Sequence, residues 1–167
     1  MGEIDTRFAA RCCQTGSALA PVKRDDELWF YYTSIKYRAS PENANEKVGA
    51  VCLAVLRRDG FVSIDASEKD GVLTTQPFVL SGKTICVNAN ARATGRLFVE
   101  ALDKAGSVMA TSHEIRGDHR RCDVHWAQGD IATLKGNPVK LRFTLREAEL
   151  HSFWVTGGSK RHDNETG

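Results

Sequence analysis

The stretch "TICVNANA", residues 84–91, decides the fold class because apolar and polar side chains alternate along it. Its apolar members are Ile85, Val87, Ala89 and Ala91. An alternation with a period of two is typical of a β-strand that has one buried and one exposed face. A second stretch, "VKLRFTLR" at residues 139–146, has the same pattern. The sequence therefore predicts two half-buried strands.

Further strand-like segments are separated by turn-forming residues. The candidate strands lie at residues 28–33, 48–57, 61–65, 72–79, 97–102, 122–126 and 151–155. Turn signals between them include "RRDG" at 57–60, "ATG" at 93–95 and "KGNP" at 135–138. Strands at intervals of roughly 8 to 12 residues are typical of an antiparallel sandwich or barrel. We predict an all-β fold, an antiparallel β-sandwich of jelly-roll-like type preceded by a short N-terminal β unit.

One short helical fragment interrupts this pattern. In "GDIATLKG", residues 129–136, Asp130 is expected to cap a single helical turn. Ile131 and Leu134 are expected to pack that turn against the sandwich.

A change in composition near residues 57–60 predicts a domain boundary. Upstream, the chain is rich in aromatic residues and carries a long polar loop, "KYRASPENANEK". Downstream, the candidate strands are evenly spaced. We therefore predict an N-terminal β unit at residues 1–58, a β-sandwich at 59–156 and a disordered tail at 157–167.

Length and charge restrict the class of protein. The 167 residues suffice for one ordinary domain, or for a small domain with an extra piece attached. The net charge of +2 comes from 23 basic and 21 acidic side chains spread along the chain, which argues against a nucleic-acid partner. No window approaches the roughly 20 apolar residues that span a bilayer, which argues against a membrane partner. The N-terminus lacks the order of a secretion signal, and the compartment stays open.

The cysteine pattern argues against a zinc site. The chain has five cysteines, an odd number, and none forms a CxxC pair or has a histidine at zinc-ligand spacing. Cys52 and Cys86 lie in apolar stretches, where a free thiol behaves as a small hydrophobic group. The alternative to a structural thiol is a catalytic nucleophile at Cys12 or Cys13, but no base lies nearby in the sequence.

The stretch "DELWFYYTSIKYR", residues 26–38, combines the residue types of a sugar-binding surface with those of a core. Alternation divides the aromatic residues of the strand between two faces, so a single platform does not include all of them. This favours packing over ligand contact for most of the stretch. The candidate ligand-binding residues are Tyr37, Arg38, Tyr32 and Trp29, of which the first two are the better candidates because a polar loop begins there.

Three acidic residues in the turn "DASEKDG" are the candidate metal ligands. Asp65, Glu68 and Asp70 have the oxygen-rich character of a calcium loop, although the helix-loop-helix calcium motif is absent. The sequence gives a structural calcium ion as the single cofactor hypothesis, against the simpler interpretation as turn residues.

Three segments of the chain resemble a known group of proteins. They are "ELWFYYTSIKYR", the run from "GAVCLAVLRRDGFVSIDA" to "KTICVNANA", and "LKGNPVKLRFTLREAELHSFWV". Together they resemble the C-terminal part of bacterial proteins similar to the five-bladed propeller enzymes of glycoside hydrolase families 32 and 43. The resemblance implies the last propeller blade followed by a β-sandwich. It implies no catalytic residue here, since the catalytic acids of those enzymes come from early and middle blades.

The residues and the resemblance give three hypotheses of function. In the first, the chain is a noncatalytic accessory β-sandwich, a carbohydrate-binding or domain-packing module whose partner is an oligosaccharide. In the second, it is part of an active glycoside hydrolase that needs the upstream blades. In the third, it self-associates as a homo-oligomer through the N-terminal β unit, because a blade without neighbours leaves apolar faces to cover. No GxSxG motif supports a serine hydrolase.

Overall fold

The computed structural model describes residues 14–17, 20–35 and 49–157, and the chain divides into two compact units, Met1–Arg58 and Asp59–Gly167. Within the described residues every regular element is a β-strand except one short 3-10 helix, and all strand pairs are antiparallel. The predicted all-β, sandwich-like fold is confirmed. None of the described helices is long and apolar enough to cross a membrane.

The first unit contains one antiparallel sheet of four strands. Its strands are β1 (Gln14–Ser17), β2 (Val22–Arg24), β3 (Glu27–Ile35) and β4 (Gly49–Arg57). β3 is central, because β4 pairs along its whole length while β1 and β2 share its other side. A two-residue turn joins β2 to β3, and Asp25 adopts a positive φ of 51° there. Aspartate tolerates this left-handed conformation better than most residues do.

The second unit contains eight strands and the 3-10 helix. The strands are β5 (Ile64–Ala66), β6 (Gly71–Thr74), β7 (Phe78–Val79), β8 (Thr84–Leu102), β9 (Val108–Ser112), β10 (Gly117–Asp123), β11 (Trp126–Gln128) and β12 (Pro138–Thr156). Two of them, β8 and β12, are 19 residues long and pair with each other from end to end. This long pair is the frame on which the other strands assemble.

A corner in the β8–β12 pair converts one ribbon into two layers. Between the pairs Ala91–Ala148 and Arg96–Arg146, β8 has four residues where β12 has only Glu147. Extra residues of this kind bend a strand sharply. On one side of the corner β9 and β6 extend the ribbon, and on the other side β10 and β5 do so.

The two layers enclose a shared hydrophobic core. Phe143 lies before the corner and Phe153 after it, and their ring centroids are 5.2 Å apart. Phe143 is fully buried, and burial of one such side chain contributes about 1.5–3 kcal/mol. Other core members from both layers include Ile85, Val87, Leu97, Val99, Leu141, Leu145 and Leu150. In residues 139–146 the apolar positions form the buried inner face, as predicted. Residues 84–91 are not half-buried as predicted, because Cys86 and Asn88 on the second face are buried too.

The 3-10 helix Ile131–Leu134 matches its prediction. The Asp130 carboxylate accepts a hydrogen bond of 2.8 Å from the backbone N–H of Ala132. Ile131 is buried and Leu134 packs against the core. The hydrogen bond thus fixes the N-terminal end of the helix, and the hydrophobic contacts fix its apolar side.

Several predicted strand limits were wrong. The turn at residues 93–95 is the corner inside β8, so the two strands predicted around it are one. The segments predicted at 72–79 and 122–126 each contain a break between two strands. The segment at 61–65 begins as a strand only at Ile64, and 151–155 is the end of β12. Of the predicted disordered tail, residues 158–167 lie outside the described residues.

Candidate functional site

The first candidate site is the aromatic face of the first unit, which we define as Val22, Arg24, Trp29, Tyr31 and Val55. The pairing register brings these residues together, because Trp29 lies opposite Val22 on β2 and opposite Val55 on β4. Directly opposed residues in an antiparallel pair share a face. Tyr31 follows two positions after Trp29 and therefore points to the same side.

Trp29 is fixed by polar and aromatic neighbours. Its indole N–H donates to Oε2 of Glu27 at 2.8 Å. The guanidinium carbon of Arg24 lies 4.6 Å from the centroid of the indole ring, within the range of a cation–π contact. The Tyr31 ring lies 6.4 Å away, tilted by 59°. The indole is therefore held in one orientation, with Arg24 covering part of it.

The aromatic face is accessible to solvent. Tyr31 is 43% exposed, and Val22 and Val55 are exposed to a similar degree. Exposed apolar residues that adjoin one another, instead of being scattered singly, are typical of binding surfaces. The arrangement suits a ligand that has an apolar side and hydrogen-bonding groups at its edge.

Of the described residues predicted to bind a ligand, Trp29 lies on the aromatic face and Tyr32 does not. Tyr32 lies opposite Cys52 in the register and points to the other face of the sheet, where it is half-buried. The structure therefore separates Tyr32 from Trp29, as the alternation predicted. Tyr37 and Arg38 lie outside the described residues, and their role stays a prediction.

The second candidate site is in the second unit and begins with a β-bulge. In the β10–β8 pair His119 lies opposite Ala89 and Cys122 lies opposite Val87, so two residues of β10 oppose Asn88 alone. A regular strand would turn residues 119 and 122 to opposite sides. The bulge instead directs both side chains toward the side of the buried Ala89 and Val87, where a cavity opens.

We call this cavity the histidine cavity. Its volume is about 370 Å³. It is lined by His113, Glu114, Ile115, Arg116, His119, Cys122, Asp123 and His125. Three of the five histidines of the chain are among these residues. A bridge between Ile115 and Leu97 ties one wall to β8.

Hydrogen bonds and an ion pair orient the polar walls of the histidine cavity. Glu114 and Arg116 form an ion pair of 2.6 Å, and Arg116 also donates to the carbonyl of Gly95 at 3.4 Å. Nε2 of His119 lies 2.6 Å from the carbonyl of Arg116. A carbonyl only accepts, so this ring nitrogen donates, and in the neutral ring Nδ1 is an acceptor.

The cysteines of the second unit are poorly suited to nucleophilic chemistry. Burial and then the nearby Asp123 carboxylate raise the pKa of Cys122. Burial, together with a hydrogen bond of 2.6 Å to Oδ1 of Asp123, raises the pKa of Cys86 to about 11. Because the thiolate is the nucleophile, these shifts keep both groups in their unreactive thiol form at neutral pH. Cys12 and Cys13, the predicted nucleophile candidates, lie outside the described residues.

Two of the candidate calcium ligands, Asp65 and Asp70, each lie next to another charged residue. Asp70 pairs with Arg96 at 3.3 Å, and Asp65 lies in β5 opposite Glu149. In the part of the chain that the structure describes, no group of three or more His, Cys, Asp or Glu residues is arranged to hold a metal ion. The calcium site stays a prediction from sequence alone.

Sequence reasoning missed the histidine cavity. His113, His119 and His125 follow no catalytic-triad pattern in the sequence. The available signal was their density, because all three lie with Cys122 within thirteen residues. The bulge that gathers them has no signature in the alternation.

Comparison with known proteins adds no relative. No protein-family model, no curated protein and no solved structure matches the chain. The resemblance to the propeller glycosidases therefore stays a prediction.

Proposed function

We propose that this chain is a noncatalytic accessory module of a glycosidase-like protein, and that it binds an oligosaccharide through the aromatic face. The observation that carries the proposal is the Trp29–Tyr31 pair, which adjoins exposed valines on one side of a sheet. The sequence resemblance supports the same class of ligand. In this proposal the second unit is the jelly-roll-like sandwich of the module.

The chemistry of a sugar explains why such a surface suits it. A pyranose ring presents C–H groups on its flat side, which pack on an aromatic ring, and hydroxyl groups at its edge. Arg24 covers part of the Trp29 indole, so the apolar contact falls mainly on Tyr31. Arg24 and Glu27 then lie where a donor and an acceptor for hydroxyl groups are needed.

Replacing Tyr31 by alanine is expected to weaken oligosaccharide binding at least tenfold. Burial of one aromatic side chain contributes about 1.5–3 kcal/mol, and tenfold corresponds to about 1.4 kcal/mol. The measurement is calorimetric titration of the purified chain with plant and algal oligosaccharides. Phe61→Ala is the matched control, because Phe61 is 62% exposed and belongs to the second unit. Equal affinities of the Tyr31→Ala variant and the parent chain would rule out this surface.

The same titration tests the residues predicted from sequence. Tyr37→Ala and Arg38→Ala are expected to weaken binding if the ligand extends along the chain beyond β3. Unchanged affinity in these two variants, together with a loss of affinity in Tyr31→Ala, would confine the site to the aromatic face.

The second hypothesis, a working glycoside hydrolase, requires two carboxyl groups about 5 to 9.5 Å apart across the scissile bond. Under our proposal such a pair is supplied by another part of a larger protein. Release of reducing sugar by this purified chain, abolished by a single carboxylate substitution, would replace the accessory role by a catalytic one.

Self-association is a second candidate function, and one observation favours it. Val51 on β4 is 76% exposed and lies on the same side of the sheet as Tyr31. A second copy of the chain covering this side removes both from water. We expect light scattering to show dimers that increase with concentration, and Val51→Lys to shift the population to monomers. A strict monomer at high concentration contradicts this candidate.

A further inference from the structure

We propose that the histidine cavity is a second binding site, separate from the aromatic face, which takes a neutral polyhydroxylated ligand the size of a mono- or disaccharide. The choice of a sugar rests on the proposed function. The existence of the site rests on the geometry of the second unit alone.

The shape of the cavity suits a small ligand. Its volume of about 370 Å³ falls in the range of ligand pockets, which begins at roughly 300 Å³. Ile115 is nearly buried and Cys122 is half-buried, and both belong to the hydrophobic core or pack against it. They give the cavity an apolar floor, on which the C–H side of a sugar ring can pack.

The walls offer donors and acceptors that are already oriented. The ion pair with Glu114 and the bond to the Gly95 carbonyl restrain the guanidinium of Arg116. The Arg116 carbonyl in turn restrains the ring of His119. A restrained site loses less conformational entropy when a ligand binds. A hydroxyl group both donates and accepts, so it can use a carboxylate, a guanidinium and a neutral imidazole nitrogen together.

The charges of the lining favour a neutral ligand over an anion. Glu114 and Arg116 cancel each other as an ion pair, and Asp123 turns its carboxylate to the Cys86 thiol on the other face of the sheet. The guanidinium of Arg116 is therefore already compensated by Glu114. An anionic ligand must compete with Glu114 for the Arg116 guanidinium, whereas an uncharged ligand meets complementary polar groups.

The test is NMR titration of the isotope-labelled full chain with D-glucose, D-galactose and cellobiose, and with D-glucuronic acid as the charged analogue. We expect a neutral sugar to shift the amide signals of residues 113–125, and glucuronic acid to bind at least tenfold more weakly. Glu114→Gln is expected to weaken binding at least tenfold, because it removes a charged acceptor and releases Arg116. His125→Ala, which alters another residue of the lining, is the second variant and is expected to weaken binding several-fold.

Glu149→Gln is the matched control. Glu149 also pairs with an arginine, Arg92 at 3.6 Å, and does not line the cavity. We expect its affinity to equal that of the parent chain. Equal losses in Glu114→Gln and Glu149→Gln would overturn the inference, as would the absence of shifts at residues 113–125 with every sugar tested.

Tyr31→Ala separates this inference from the proposed function. Shifts at residues 113–125 that persist in Tyr31→Ala support the second site. Binding that disappears entirely in Tyr31→Ala supports the aromatic face and overturns the second site. Binding that needs Glu114 and is indifferent to Tyr31 supports the cavity and overturns the aromatic face.

Discussion

A Gly95→Ala variant is expected to lose about 3 kcal/mol or more in free energy of unfolding, because a methyl group has no space at the corner of β8. A Cβ atom built on Gly95 lies 2.2 Å from the carbonyl oxygen of Glu147 and 2.8 Å from the backbone nitrogen of Arg92. Both obstacles are backbone atoms, which cannot rotate away as a flexible side chain does. The corner must therefore open to admit the methyl group.

Other contacts at the corner make that opening costly. The Glu147 backbone N–H donates to the carbonyl of Ser67 at 2.8 Å, and the hydroxyl of Thr94 donates to the Glu147 carboxylate. Glu147 itself has a positive φ of 44°. Moving Glu147 therefore disturbs the segments that carry Ser67 and Thr94, as well as the angle between the two layers.

The matched control for Gly95→Ala is Gly136→Ala. Gly136 has a φ of +84° and open space around the position of its Cβ, so its substitution imposes backbone strain without a clash. That strain costs about 1–2 kcal/mol. Urea unfolding of both variants gives the comparison. A loss in Gly95→Ala no larger than that in Gly136→Ala would show that the corner yields easily.

Alkaline pH is expected to destabilise the protein through Cys86 by about 2–3 kcal/mol between pH 9 and pH 11. The pKa of this thiol rises from 9.0 to about 11 in the folded chain, mainly through burial. Above pH 9 the unfolded chain releases the thiol proton while the folded chain retains it. Unfolding then releases a proton, so the free energy of unfolding falls as the pH rises and levels off above about pH 11.

Cys86→Ser isolates this contribution. Serine keeps a hydroxyl donor for Asp123 but does not titrate in this range, whereas the lysines and tyrosines titrate in both proteins. The measurement is urea unfolding of both proteins, under reducing conditions, from pH 8 to pH 11. We expect the parent chain to lose stability relative to the variant between pH 9 and pH 11. Stability profiles of the same shape in both proteins would contradict a raised pKa of Cys86.

Asp123→Asn provides a second comparison for the pH profile. The hydrogen bond from the Cys86 thiol to Asp123 is the second cause of the raised pKa, after burial. Without the carboxylate, the pH-dependent loss is expected to be smaller and not to vanish. A profile unchanged by this substitution would assign the shift to burial alone.

The periodicity of the sequence predicted the core well and the connections poorly. The alternation in residues 139–146 gave the inner face because burial falls on every second residue there, whereas residues 85–89 are all buried. The signal "ATG" at 93–95 predicts a turn, whereas the structure has the corner of β8 there. A glycine relieves crowding in a turn and at a corner alike, so composition alone does not distinguish the two.

Sequence reasoning likewise predicted one candidate site in part and missed the other. Alternation predicted that Trp29 and Tyr32 lie on opposite faces, and the β3–β4 register agrees. The histidine cavity depends on one extra residue between His119 and Cys122, which changes the face that each side chain occupies. Such a bulge is stabilised by tertiary contacts and leaves no period in the sequence.

The long strands have a consequence for how the second unit loses its structure. β8 and β12 each run through both layers, so neither layer has a central strand of its own. Local unfolding of one layer frees half of each long strand and exposes the rings of Phe143 and Phe153, which belong to different layers. The two layers are therefore one cooperative unit, whose slowest hydrogen exchange requires unfolding of the whole sandwich.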